Sequence, residues 1–203
     1  MVDAAEDLEV IRDPAVHTVY FRRRVPAAAL RCAEGVASGA VTSWELTAPP
    51  EGDGGAAAAA AGLPWGSGGE ALVDDIDFAL RTFRDLVEGR PFHAQLAVVA
   101  GDACRRFHVD HHQLRWVVTY AGPGTEWLTD DDVAQCVSNL GASNLGEIGI
   151  GSSDVRHAAR GDVILMKGKG HDPPAPGRGG PLHRSPPIEA RGLRRLVLTL
   201  TER

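Results

Sequence analysis

At Pro91 the hydrophobic pattern of this chain changes its period, and that change restricts the folds open to it. Before it, over residues 70–88, Leu72, Val73, Ile76, Ala79, Leu80, Phe83 and Val87 recur at three- and four-residue steps, which lines one stripe of an α-helix that Gly89 ends. After it, residues 95–100, 104–110, 114–120, 162–166 and 193–201 alternate as strands do, with Gly, Pro or Asp in the gaps. Residues 17–21 read as a further strand and the Ala-rich residues 27–37 as a helix. A helical part followed by several short strands leads to a mainly β fold with flanking α-helices, a barrel or sandwich braced by helices. Along the chain this gives one domain, 1–203, in four parts. Residues 1–47 hold a strand and a helix, 48–69 a flexible low-complexity insert rich in Pro, Gly and Ala, 70–89 the bracing helix, and 90–203 the β part. Thr129 is placed to cap a short helix beginning at Asp130. The glycines of 177–180 follow no strand and open no helix, so they form no phosphate loop.

Charge and cysteine usage exclude several classes of function. A formal charge of −6 leaves no basic face for nucleic acid or an acidic membrane. No apolar run approaches the roughly 18 residues that span a bilayer. The first seven residues are acidic and unlike a secretion signal. Three cysteines, Cys32, Cys104 and Cys136, form no C-x-x-C pair, which suits unpaired thiols in a reducing cytosol. The expectation is a cytoplasmic protein, monomer or homodimer, that acts on a small molecule.

The residues that could carry chemistry begin with Phe107-His108-Val109-Asp110. Positions i and i+2 of an extended segment share a face, so His108 and Asp110 present an imidazole and a carboxylate side by side. That is two-thirds of a facial triad, the ligand set that leaves positions open on Fe(II). With 8 histidines and 27 acidic residues in the chain, chance alone supplies one such pair. The order of the motifs downstream of it makes it specific. Gly161-Asp162-Val163-Ile164-Leu165-Met166 turns into an apolar strand. Leu182-His183-Arg184-Ser185-Pro186-Pro187 comes next, and then Arg194-Arg195-Leu196-Val197-Leu198-Thr199-Leu200.

This series resembles the Fe(II)/2-oxoglutarate dioxygenases, in which H-x-D, a Gly-Asp-apolar strand, a distal His and an Arg follow in that order. With Thr119-Tyr120-Ala121-Gly122-Pro123-Gly124-Thr125-Glu126-Trp127-Leu128 added, it also resembles an uncharacterised cupin-related family, domain of unknown function 1826. The resemblance covers most of residues 91–201. It implies a double-stranded β-helix (a jelly-roll or cupin barrel), with His108, Asp110 and His183 as ligands of one Fe(II), 2-oxoglutarate as co-substrate and O2 as oxidant. It also implies a basic residue on the last strand that binds the distal carboxylate of 2-oxoglutarate. Arg194 shares a face with Leu196, Leu198 and Leu200, suited to packing against helices, whereas Arg195 shares one with Val197 and Thr199, suited to a pocket. Arg195 is therefore the favoured clamp.

The chain departs from that family where Val197 stands at a position often occupied by Ser, and Tyr120 or Thr119 are candidates for the missing hydroxyl. The loop of Gly122, Gly124, Thr125, Glu126 and Trp127 could bring backbone, a charge and a flat wall to a substrate, and Lys167 could reach a substrate anion. Two other readings stay open. One is a non-redox cupin-type enzyme holding Zn, Mn or Ni, with Glu126, His111 or His112 as a fourth ligand. The other is a non-catalytic metal-binding protein.

Overall fold

The computed structural model describes residues 1–40, 42–46, 67–102, 104–129, 131, 155–171 and 180–202. The insert at 48–69, apart from its last three residues, and the short helix expected from Asp130, apart from Asp131, lie outside them.

Among the described residues, nine strands form two antiparallel sheets. The larger takes β1 (Thr18–Phe21), β2 (Ser43–Leu46), β3 (Phe92–Val99), β4 (Leu114–Ala121), β7 (Val163–Lys167) and β9 (Arg195–Glu202) in the order β1-β7-β4-β9-β3-β2. The smaller takes β5 (Glu126–Trp127), β6 (Arg156–His157) and β8 (His183–Arg184) in the order β6-β5-β8. Chain neighbours are seldom sheet neighbours, and the chain passes repeatedly between the two sheets, as in the double-stranded β-helix the sequence leads one to expect.

Alternation along the larger sheet divides its side chains between two environments. One set, with Leu96 and Val98 of β3, Trp116 and Val118 of β4, Val163 and Leu165 of β7, and Leu196, Leu198 and Leu200 of β9, forms the main core. Onto this face pack α1 (Ala27–Ala37) and α2 (Gly69–Leu86), which contribute Ala29, Ala33, Leu72, Ile76, Leu80 and Phe83. The helices have the apolar spacing that such a face requires, and α2 ends where Gly89, at φ +73°, returns its N–H to the Arg84 carbonyl at 3.0 Å. The opposite set, including Gln95, Ala97, Val99, Arg115, Val117, Arg195, Val197 and Thr199, lines a cavity inside the barrel.

The strand expected at 104–110 is not formed. Among the described residues, that segment forms one isolated bridge, His108 opposite His183. Among the described residues no helix is long and apolar enough to cross a membrane.

Candidate metal centre

The bridge between His108 and His183 is the feature that builds the site. Each residue's N–H donates to the other's carbonyl at 3.0 Å. In such a hydrogen-bonded antiparallel pair both side chains lie on the same side, and the two imidazole centroids stand 4.6 Å apart. Although no strand runs through 107–110, alternation survives there. Phe107 and Val109 pack into a small apolar cluster with Leu128 and Leu182, while His108 and Asp110 turn the other way. One ligand atom from each of His108, Asp110 and His183 lies within 4.8 Å of the other two.

Hydrogen bonds set the chemistry of these donors. His108 Nδ1 lies 2.9 Å from the Arg106 carbonyl and His183 Nδ1 lies 3.2 Å from that of Pro181. With each Nδ1–H donated to a backbone oxygen, each Nε2 points at Asp110 and is the nitrogen whose lone pair would serve an ion once its proton is displaced. The Nε2 atoms face Asp110, at 3.6 Å (His108 to Oδ1) and 3.2 Å (His183 to Oδ2). Burial by itself would raise the Asp110 carboxyl. The interactions with both histidines, with the charges of His183 and Arg115, outweigh it and hold the group well below the usual carboxylate range. The Asp110 carboxylate, 3.6 Å from Nε2, raises His108 against the effect of its partial burial. Two neutral imidazoles and one carboxylate on a common face suit a divalent first-row metal.

Beside them opens a cavity of about 180 Å³. Arg195, 2% exposed, forms part of its wall. Its Nη2 donates to the hydroxyls of Thr119 (3.0 Å) and Thr125 (3.1 Å), its Nη1 to that of Ser185 (3.2 Å), and its buried Nε has no partner. No carboxylate of the described residues lies within ion-pair distance of it. Burial lowers this guanidinium to about 10, partly opposed by the charge of Glu126, and it remains cationic at neutral pH. Three hydroxyls thus surround the guanidinium.

The other residues singled out in the sequence fall elsewhere. Arg194 is at the surface and donates to the Gly39 carbonyl beyond α1. Tyr120 faces the helices, where its hydroxyl donates to Asp75 Oδ2 at 2.7 Å, so it supplies no hydroxyl to Arg195. Lys167 is buried rather than facing an anion, with Nζ 2.8 Å from the Asp13 carbonyl. Glu126 is buried in an ion pair with Arg184 at 2.6 Å, and Trp127 packs against Tyr20 in the barrel interior, with ring centroids 4.9 Å apart. Neither lines the cavity by the metal donors, although Thr125 does. Gly122 and Gly124 serve backbone rather than ligand, because a Cβ at either would overlap the carbonyl oxygen of Arg194 or Ala158. His111 and His112 are outside the donor cluster, and His112 Nε2 abuts Arg115.

Three residues of the site are not assigned by the sequence patterns. Arg115 contacts Asp110 at 2.6 Å, and Ser185 and Cys104 line the cavity. Arg115 shares its strand face with Val117 and Thr119, which is the signal that would have found it.

The sequence matches, over residues 2–201, the family model described as a protein of unknown function, DUF1826. No curated protein matches it. Among solved structures, the dioxygenase for auxin oxidation from rice is similar at 12% identity, over 97% of this chain and 77% of that one, with a TM-score of 0.53. The dioxygenase for auxin oxidation 1 from Arabidopsis thaliana, solved as a binary complex with 2-oxoglutarate, is similar at 10% identity, over 97% of this chain and 86% of that one, with a TM-score of 0.50. At these identities the likeness is one of fold.

Proposed function

This chain belongs to the DUF1826 family, and we propose that it is a mononuclear non-haem iron oxygenase that oxidises a small organic substrate with 2-oxoglutarate as co-substrate. The observation that carries this reading is one juxtaposition. Three donors converge, with both imidazoles tethered through Nδ1, beside a buried guanidinium that has hydroxyl partners and no acid among the described residues. A buried cation without a counter-ion is costly, and a carboxylate ligand relieves that cost while accepting two parallel hydrogen bonds. The Arabidopsis neighbour in fold holds such a diacid, and the cavity here is lined by the cation of Arg195 and by two of the three candidate metal donors, His108 and His183.

Iron held in this site supplies the activation of O2 that an unactivated C–H bond requires. The rest is done by the chain. His108 and His183 offer Nε2, Asp110 brings one negative charge, and Arg195 orients the co-substrate from a guanidinium fixed by Thr119, Thr125 and Ser185. Val117 and Val197 give the cavity apolar walls that keep water from the reacting groups.

Anaerobic titration of the Fe(II)-loaded protein with 2-oxoglutarate tests the proposal. A weak visible charge-transfer band should appear, and Arg195→Ala should remove it at the same concentration. Wild-type protein without the band but with tightly held Zn, Mn or Ni would point to a non-redox metalloenzyme or a metal-binding protein instead. His183→Ala and Asp110→Ala should each abolish iron uptake at micromolar metal, and full occupancy in both would reject the triad.

A further inference from the structure

Arg115 projects from β4 in the middle of the larger sheet, where its backbone is paired on both sides, with Met166 of β7 and Thr201 of β9. Its guanidinium reaches three partners. Nη1 donates to Asp110 Oδ2 at 2.6 Å, Nε to Thr201 Oγ1 at 3.3 Å, and Nη2 abuts His112 Nε2. Asp110 itself lies between β3 and β4 in a segment without regular structure, where its carbonyl accepts from the Lys169 N–H at 2.8 Å. That bond fixes the main chain and leaves the side-chain torsions free. The one cation that grips the carboxylate from a rigid element, among the described residues, is Arg115.

We propose that Arg115 is a positioning residue of the metal centre, holding the Asp110 carboxylate in one orientation with Oδ2 engaged and Oδ1 free for the ion. The inference rests on the reading of His108, Asp110 and His183 as ligands. The sign of the effect on metal affinity decides it. A guanidinium near a divalent ion repels it, so a cation with no positioning role would weaken binding, and its removal would tighten the site. A guanidinium that preorganises the carboxylate acts in the opposite direction, and loss of such outer partners costs roughly 10- to 100-fold in metal affinity.

The test is a Co(II) titration of wild-type protein and the Arg115→Met and Arg115→Lys variants, followed by visible absorption, with thermal melting of each metal-free protein. R115M should bind Co(II) roughly 10- to 100-fold more weakly than wild type, with an altered d–d spectrum. R115K, which keeps a cation but not the fork, should recover part of the loss. Affinity in R115M equal to or tighter than wild type would overturn the proposal. So would a loss of melting temperature without a change in affinity. If R115M does not fold, R115Q carries the same expectation and the same overturning result. Wild-type protein that takes up no Co(II) removes the triad reading itself, whereas wild-type uptake with unimpaired R115M removes only the role given to Arg115.

Discussion

His108 has opposite relations to a proton and to a metal. The neighbouring Asp110 carboxylate, aided by the Arg106 carbonyl, favours the charged imidazolium in the metal-free protein, against partial burial. A metal needs the neutral ring. Proton competition should therefore begin above the ordinary histidine value of about 6.5. Below the raised value, the apparent Co(II) dissociation constant should rise about tenfold per pH unit. Affinity that stays flat from about pH 8 to pH 6 would show that this nitrogen is not a ligand. Without metal, the raised His108 contributes stability in full below its unfolded value and loses it as pH rises through its folded one, while the depressed Asp110 contributes above its unfolded value. The pair should thus stabilise the metal-free fold most between about pH 4 and pH 6.5. At this scale alternation was the readable signal. It placed Arg195 in the cavity and Arg194 outside, and the same rule puts Thr119 and Tyr120 on opposite faces, so only one of them could serve Arg195. What alternation does not contain is the partner of a charge. The ties of Arg115 to Asp110 and of Lys167 to the Asp13 carbonyl depend on where other segments pass.

Helix α2 is held to the larger sheet by more than its apolar stripe. Asp75 accepts from both terminal nitrogens of Arg23, at 2.7 and 2.8 Å, and from the Tyr120 hydroxyl, and the ion pair is nearly buried. Asp75→Ala would leave the Arg23 cation and the Tyr120 hydroxyl without this partner, and removing one member of a buried pair costs about 3–5 kcal/mol. Urea unfolding should show that loss as a lower midpoint at unchanged slope, and a variant as stable as wild type would mean that water serves Arg23 equally well. A second element-scale device is Gly122, at φ +78° just after β4, where a side chain would strike the Arg194 carbonyl. Gly122→Ala should displace the start of β9, and with it Arg195, weakening 2-oxoglutarate binding more than Co(II) binding. Equal effects on both would contradict that. The helices were legible because their stripes run for three turns or more, and α1 occupies the 27–37 range read from the sequence. Strands β5, β6 and β8 have two residues each, too short to carry a period. The segment at 104–110 alternates like a strand, but among the described residues its pairing is confined to an isolated bridge with His183.

Across the whole molecule, the acidic balance conceals a local excess of the opposite sign. Arg115, Arg184 and Arg195 line the cavity, and Arg105 and Arg106 line an adjoining pocket that shares Cys104 and His108 with it. The site also joins parts of the chain distant in sequence: the segment carrying His108 and Asp110 meets that carrying His183 through the 108–183 bridge, the Ser185 N–H donated to the Cys104 carbonyl at 2.9 Å, and the packing of Phe107 and Val109 with Leu182. A metal bound there ties the two together in the folded state, while the unfolded chain offers no such cluster. Binding therefore adds to stability by mass action, about 2.7 kcal/mol at a free metal concentration one hundred times the dissociation constant. For a chain of this length that corresponds to a rise in melting temperature of roughly 5–10 °C. Mn(II), which avoids oxidation during the scan, should produce the shift, and a chelator should reverse it. In Asp110→Ala the shift itself, apart from any change in the starting temperature, should vanish. An equal shift in that variant would place the stabilising ion elsewhere on the surface and leave these three side chains without the role given to them.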